Sequence, residues 1–162
     1  EVWHDDPKVV AAILPLYMDG LYLSRYSDNK EAPTLSDYFE TPEEAVRHYG
    51  YLKQVYQSIS AKEVYSSYVF PWDCVVLTRS DVVLKMAYIA WMTNDIRLRE
   101  ELCTYLPALE SYNRASYIGI VLARTESKVE QEYVLQSLGD RSADIRDEAY
   151  KVLSEMSLSP EQ

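Results

Sequence analysis

The sequence predicts an all-α fold in a single domain, and three observations carry that expectation. Residues 81–92 (DVVLKMAYIAWM) hold one basic side chain, Lys85, among neighbours that are almost all apolar. A helix apolar on nearly every face cannot lie on a surface, and a dozen residues are too few to span a bilayer, so this stretch predicts a buried central helix. The clearest helix start is Thr41-Pro42-Glu43-Glu44: a capping threonine, a proline in the first turn, and two acids where the helix dipole favours negative charge. From Ser80 onward, breakers and apolar stripes alternate with a period of ~30 residues, as expected of stacked helix pairs.

Composition bounds the rest. The chain has 162 residues, of which 48% are hydrophobic and only four are glycine, which suits one domain with a sizeable core. The formal charge of −10 is spread evenly: residues 1–79 hold 12 acids and 7 bases (−5), and residues 80–162 hold 14 acids and 9 bases (−5). That sign disfavours direct nucleic-acid binding and favours steering toward a basic protein, although acidity also serves solubility by itself. Cys74 and Cys103 have neither metal-ligand spacing nor a redox-pair motif. Buried free thiols are expected, with a single disulfide as the alternative in an oxidising compartment. The chain starts at Glu1 without an apolar leader, so either a leader was removed or a longer chain was trimmed. The cytoplasm is the default compartment, export the alternative.

In chain order, Asp6-Pro7 predicts a capped helix start, followed by Val10, Ile13, Leu14, Tyr17 and Leu21 at helical spacing, with a kink at Pro15. Residues 27–41 (SDNKEAPTLSDYFET) predict a long polar loop with one short turn around Leu35 to Phe39. The helix from Pro42 is expected to run to about Ser60 on the stripe Ala45, Tyr49, Leu52, Tyr56 and Ile59, with Glu43, Glu44, Arg47 and Lys53 facing water. Residues 64–77 have strand-like composition interrupted by Pro71-Trp72-Asp73, and read as irregular or a short helix, with a hairpin as the alternative. Ser80 is expected to cap the central helix. Thr93-Asn94-Asp95 then breaks it before a helix over roughly Ile96 to Leu109. A third helix of this half opens at Ser111-Tyr112-Asn113 and a fourth carries Val129 to Leu138, ending at Gly139 in a left-handed turn. A fifth follows the stripe Ile145, Ala149, Val152, Leu153 and Met156.

Leu135, Leu138 and Asp140, followed by Ile145-Arg146, Ala149 and Leu153, resemble a HEAT-like repeat, with an earlier copy beginning at Arg114-Ala115. The likeness covers about residues 113–156 and implies a helical bundle grading into HEAT-like α–α repeats, with repeat-like helix pairs over residues 80–157; residues 1–79 do not fit it and read as an irregular N-terminal helical part of the same domain. It also implies that Asp140 and Arg146 tie neighbouring turns together. In size, acidity and aromatic content the chain is similar to some immunity proteins that neutralise bacterial toxins, which implies a toxin effector as partner.

No catalytic residue is assigned. Enzymes usually recruit histidine, and only His4 and His48 are present. His4-Asp5-Asp6 are consecutive and point in different directions, so no metal is expected there. His48 beside Arg47 reads as a satisfied or solvated side chain. No glycine-rich phosphate loop, GxSxG elbow or HExxH occurs, and no cofactor is implied. Adjacent acids such as Glu100-Glu101 and Asp147-Glu148 splay round a helix and read as solvated faces.

Tyrosine is the unusual feature: fifteen, nine of them between Tyr17 and Tyr68. A large apolar body with one polar handle suits protein interfaces. Tyr17, Tyr49 and Tyr56 fall on core stripes, whereas Tyr22, Tyr26, Tyr38 and Tyr51 do not. With the acids Asp28, Glu31, Asp37, Glu40, Glu43 and Glu44 they make the expected contact surface for a basic protein partner, with no membrane involved. The alternative is a helical scaffold or subdomain of a larger assembly, associating through Arg124, Arg141 and other late-helix residues.

Overall fold

The computed structural model describes residues 23–26, 31–58, 65–70 and 73–156. The helix expected from Asp6 onward, with Tyr17 and Pro15, lies outside the described residues. The fold is all-α in class: the described residues form six α-helices, with short 3-10 turns between them and one small antiparallel hairpin. The helices are α1 (Pro42–Ser58), α2 (Arg79–Thr93), α3 (Ile96–Leu102), α4 (Ser111–Ile120), α5 (Lys128–Ser137) and α6 (Ala143–Glu155). Contacts group them into two compact units: residues 32–95 in the first, residues 23–26, 31 and 96–156 in the second. The central helix thus belongs with the segment before it, not with the helix pairs after it.

In the first unit, α1 packs against α2, and α2 also touches the hairpin and the 3-10 turn Leu35–Asp37. Nine residues of α2 are buried, and Val83, Ala87 and Ala90 are fully so. Each large aliphatic side chain removed from water here contributes about 1.5–3 kcal/mol, so this helix anchors the unit. Its start differs from the expectation: Thr78, not Ser80, is the cap. The Thr78 hydroxyl accepts the Asp81 N–H at 3.2 Å, and the Asp81 carboxylate accepts the Thr78 N–H at 2.9 Å, a reciprocal capping box. At the other end Asn94 adopts the left-handed conformation (φ 50°), which asparagine tolerates better than other non-glycine residues. Helix α1 buries Ala45, Tyr49, Leu52 and Val55. Tyr56, expected on that stripe, is half-buried with the Arg79 guanidinium 4.5 Å above its ring. Lys53, expected in water, is also half-buried.

Residues 65–77 correct the irregular-or-helix reading in favour of its alternative. β1 (Tyr65–Phe70) pairs antiparallel with β2 (Asp73–Leu77), from Tyr65 opposite Leu77 to Tyr68 opposite Cys74, with a bulge between Tyr68 and Phe70. β-Branched and aromatic residues fit this pleat.

In the second unit, α4 packs on α6, α5 covers α6, and the turn Leu23–Tyr26 lies against α4 with Leu23 fully buried. The α4 and α6 contributions to its core include Tyr117, Ile118, Ile145 and Ala149, all fully buried. Helix α3 stops at Leu102 instead of continuing to Leu109. Pro107 lacks the N–H that would bond back to Cys103, and its ring would strike that carbonyl, so the chain turns at 103–105 and resumes as the 3-10 turn Leu106–Ala108. Gly139 is not left-handed; α5 runs out through Leu138 at φ −62°. The turn that follows is tied by side chains. Asp140 Oδ1 accepts the Ser142 N–H at 2.8 Å, Arg146 donates to the Asp140 and Arg141 carbonyls at 2.8 and 2.9 Å, and Arg114 of α4 reaches the Asp140 carboxylate at 3.4 Å.

Candidate functional site

Six of the ten expected contact residues fall in one short stretch of the first unit. The 3-10 turn at Leu35–Asp37 is closed by the Tyr38 and Phe39 N–H groups donating to the Leu35 carbonyl, each at 3.0 Å. Phe39 is buried beneath it, Tyr38 is half-buried, and Asp37 and Glu40 stand exposed. Thr41 then opens α1 by accepting the Glu44 N–H at 3.1 Å, while Glu44 Oε2 accepts the Glu40 N–H at 2.8 Å. Glu43 is exposed, but Glu44 is half-buried and its carboxylate is engaged within the chain. Tyr51, about two turns further on, is half-buried with its ring 5.9 Å from His48. Of the remaining four, Tyr22 and Asp28 lie outside the described residues. Tyr26 is half-buried and Glu31 exposed, and both group with the second unit.

His48 sits at the back of this stretch. Phe39 approaches its ring edge-on at 5.1 Å, and Glu44 Oε1 lies 3.8 Å from its Nε2. Its Nδ1 is buried without a hydrogen-bond partner. Burial holds the imidazole below its ordinary pKa of 6.5, Arg47 pushes the same way, and Glu44 opposes them. The expectation of a satisfied or solvated side chain is thus corrected: the ring is half-buried against Phe39 with Nδ1 unpartnered. The side chain of Cys74 lies outside the described residues.

Among the described residues of the second unit, two open clefts bear on function. One, of about 500 Å³, is lined by Cys103, Tyr133 and the exposed edge of α5. Desolvation and the Glu130 and Glu100 carboxylates push the Cys103 thiol up to about 12, and burial pushes the Tyr133 phenol up to about 12. Burial thus disfavours ionisation of both groups near neutral pH. The other, of about 460 Å³, runs between α4 and α6. Its α4 wall is Ala115, Ser116 and Gly119, with Tyr112 61% exposed at the mouth. Its α6 wall carries Asp144, Asp147, Glu148 and Glu155, with Lys151 paired to Glu148 at 3.6 Å. Among the described residues, no group of three or more His, Cys, Asp or Glu side chains is placed to hold a metal ion, and no helix is long and apolar enough to cross a membrane.

A model of the family described as "Family of unknown function (DUF5724)" matches residues 1–162. The chain belongs to DUF5724. No curated protein and no solved structure matches it. In this DUF5724 member the acidic α6 wall is the feature that sequence reasoning passed over. Taken as an adjacent pair, Asp147 and Glu148 read as a solvated face, because adjacent residues diverge round a helix. The signal lay in the longer spacing: positions 144, 147, 148, 151 and 155 recur every three or four residues and fall on one face. That α4 would set small side chains opposite this face is a tertiary fact.

Proposed function

We propose that this chain is a non-catalytic, acidic protein-binding module, whose most concrete form is an immunity protein that neutralises a toxin by direct binding. The observation that supports it is the stretch 35–43, in which Asp37, Glu40 and Glu43 are exposed on a backbone fastened by the Leu35 carbonyl, the Thr41 hydroxyl and the Glu44 carboxylate. Fixed carboxylates raise the encounter rate with a cationic surface without the cost of ordering a loose loop, and the half-buried Tyr38 supplies apolar area beside them. A partner with a basic surface fits this arrangement, whereas a phosphate backbone is repelled by it.

The test is co-purification with the product of a neighbouring toxin-like gene, followed by stopped-flow association of the wild type and of the D37K/E40K/E43K variant. Charge reversal is expected to slow association at least about ten-fold in low salt, and much less in high salt where charges are screened. Unchanged association in a variant that remains folded overturns the reading.

A second reading, a helical scaffold with HEAT-like pairs, is supported by Leu135 and Leu138, 39% and 41% exposed three residues apart on the α5 edge. Stacked repeats present such a face to the next repeat. Loss of partner association on truncation after Gly139, with the charge-reversed variant unaffected, favours it over the first.

A further inference from the structure

We infer that His48 is an acid-sensitive latch on the stretch 35–43: its neutral ring keeps the turn Leu35–Asp37 and the first turn of α1 closed, and its protonation loosens them. The two ring nitrogens sit in different surroundings. Nε2 faces Glu44 Oε1 at 3.8 Å, whereas Nδ1 is buried without a hydrogen-bond partner. The neutral ring fits this site with its proton on Nε2 and a lone pair on Nδ1, because an unpaired acceptor costs less than an unpaired cationic donor. Acidification puts the second proton on Nδ1, where no acceptor meets it. Two contacts carry the consequence to the turn. Phe39, the buried residue that anchors the turn, meets the imidazole edge-on at 5.1 Å, and its N–H donates to the Leu35 carbonyl at 3.0 Å. A charged Nδ1–H that moves toward water gives up the Phe39 contact, and the turn loses its apolar support. Glu44 carries the other consequence. Its Oε2 accepts the Glu40 N–H at 2.8 Å, and a cation at the imidazole draws the same carboxylate away from that amide.

The groups around the ring set the direction of the effect. Burial is the largest influence and disfavours the imidazolium, Arg47 acts the same way, and Glu44 acts against them. In the turn before α1, Asp37 and Glu40 stand exposed, as does Glu43 in its first turn, while Tyr51 approaches with its ring. Helix α2 packs against α1, and none of its Arg79, Asp81, Lys85 and Tyr88 adds to the charges acting on His48. The closed stretch therefore selects the neutral ring, and an opened one admits the proton. Loosening sets in as pH falls below the unfolded value of 6.5. As a conformational device the latch needs no partner; as a control on the encounter surface of Asp37, Glu40 and Glu43 it rests on the module reading.

The test is nuclear magnetic resonance of the full chain between about pH 8 and about pH 4.5. It follows the His48 ring, assigned by its loss in His48→Gln, together with the Phe39 and Glu40 amides. Both amides are expected to shift with the midpoint of the ring. Exchange of the Glu40 amide, corrected for its intrinsic pH dependence, is expected to quicken at least about three-fold at the acid end. His48→Phe keeps an aromatic ring and takes no proton, so its two amides are expected to stay unchanged through the midpoint of the wild-type ring; His48→Gln is likewise expected to lose the transition. Wild-type amides that ignore the ring, or that shift only with a midpoint of about 4 in the ordinary carboxylate range, overturn the inference. So does the same transition persisting in His48→Phe or His48→Gln. The two readings fail separately. If the amides follow the ring while D37K/E40K/E43K associates with the toxin-like partner as fast as the wild type, the latch stands and the module reading falls. If charge reversal slows association while the amides ignore the ring, the latch falls and the module reading stands.

Discussion

Arg99 of α3 and Glu130 of α5, 31 residues apart in sequence, form a two-pronged ion pair in which Nε meets Oε1 and a terminal nitrogen meets Oε2, each at 2.9 Å. The Glu130 side chain is wholly buried and that of Arg99 is 14% exposed. Thr125 donates its hydroxyl to the same carboxylate, and the Gln131 amide donates to the Thr125 carbonyl at 3.1 Å. Ser127 accepts the Glu130 N–H at 3.3 Å and donates to Glu100 at 2.7 Å. One buried charge thus organises the start of α5 and its contact with α3.

Removing that charge alone is expected to be costly, because Arg99 and Thr125 are left without it. Glu130→Ala is expected to cost about 3–5 kcal/mol, while replacing Arg99, Thr125 and Glu130 together by Met, Val and Leu recovers most of the loss. Urea unfolding followed by circular dichroism measures both; equal losses in the single and triple variants contradict the network.

His48 predicts a pH dependence whose sign follows from its burial. Its folded-state pKa lies below the unfolded value of 6.5, so below that value the unfolded chain binds the extra proton more readily. Stability is therefore highest above the unfolded pKa and is lost as pH falls below it. Comparing melting temperatures of wild type and His48→Gln between about pH 8 and about pH 5, the wild type is expected to lose more. A parallel decline in the two chains removes the effect.

Cys103 is expected to resist alkylation in the folded protein. A thiol held at about 12 instead of 9.0 has a strongly reduced thiolate population, and only the thiolate reacts. In a Cys74→Ser background, iodoacetamide at mildly alkaline pH is expected to label the native chain at least about a hundred-fold more slowly than the urea-unfolded chain. Comparable rates refute the burial argument.

Gly119 and Glu148 are predicted to be coupled. A Cβ at Gly119 would lie 2.8 Å from Glu148 Cδ, which must then swing away from its place beside Lys151. Alanine in place of helical glycine is ordinarily worth about 0.5–1 kcal/mol. That gain is expected in a Glu148→Ala background and absent in the wild type, a difference that a double-mutant cycle by chemical denaturation resolves.

Much of the helical order was legible because it depends on local signals. Thr41-Pro42, the break at Asn94, the opening at Ser111 and the apolar run through Met86 and Ala90 each declare themselves within a few residues. What escaped depended on partners distant in sequence, or on a contest between local signals. Ser80 and Thr78 are equally good caps until Asp81 is seen to reach back to Thr78. The hairpin was ambiguous because periodicity does not assign a short apolar run around a proline. Tyr56 and Val55 are neighbours on one helix, and only the position of α2 decides which is covered. Among the candidate contact residues, exposure at Asp37, Glu40 and Glu43 followed from a polar turn. The engagement of Glu44 and the groove on α6 required the folded backbone.

The fastening of Glu44 narrows the surface a visitor can use. Its Oε2 already accepts the Glu40 amide and its Oε1 faces His48, so a cation meeting this carboxylate finds its charge partly shared within the chain. Asp37, Glu40 and Glu43, exposed and without that clasp, are then the acids on which the proposed encounter with a basic surface would depend.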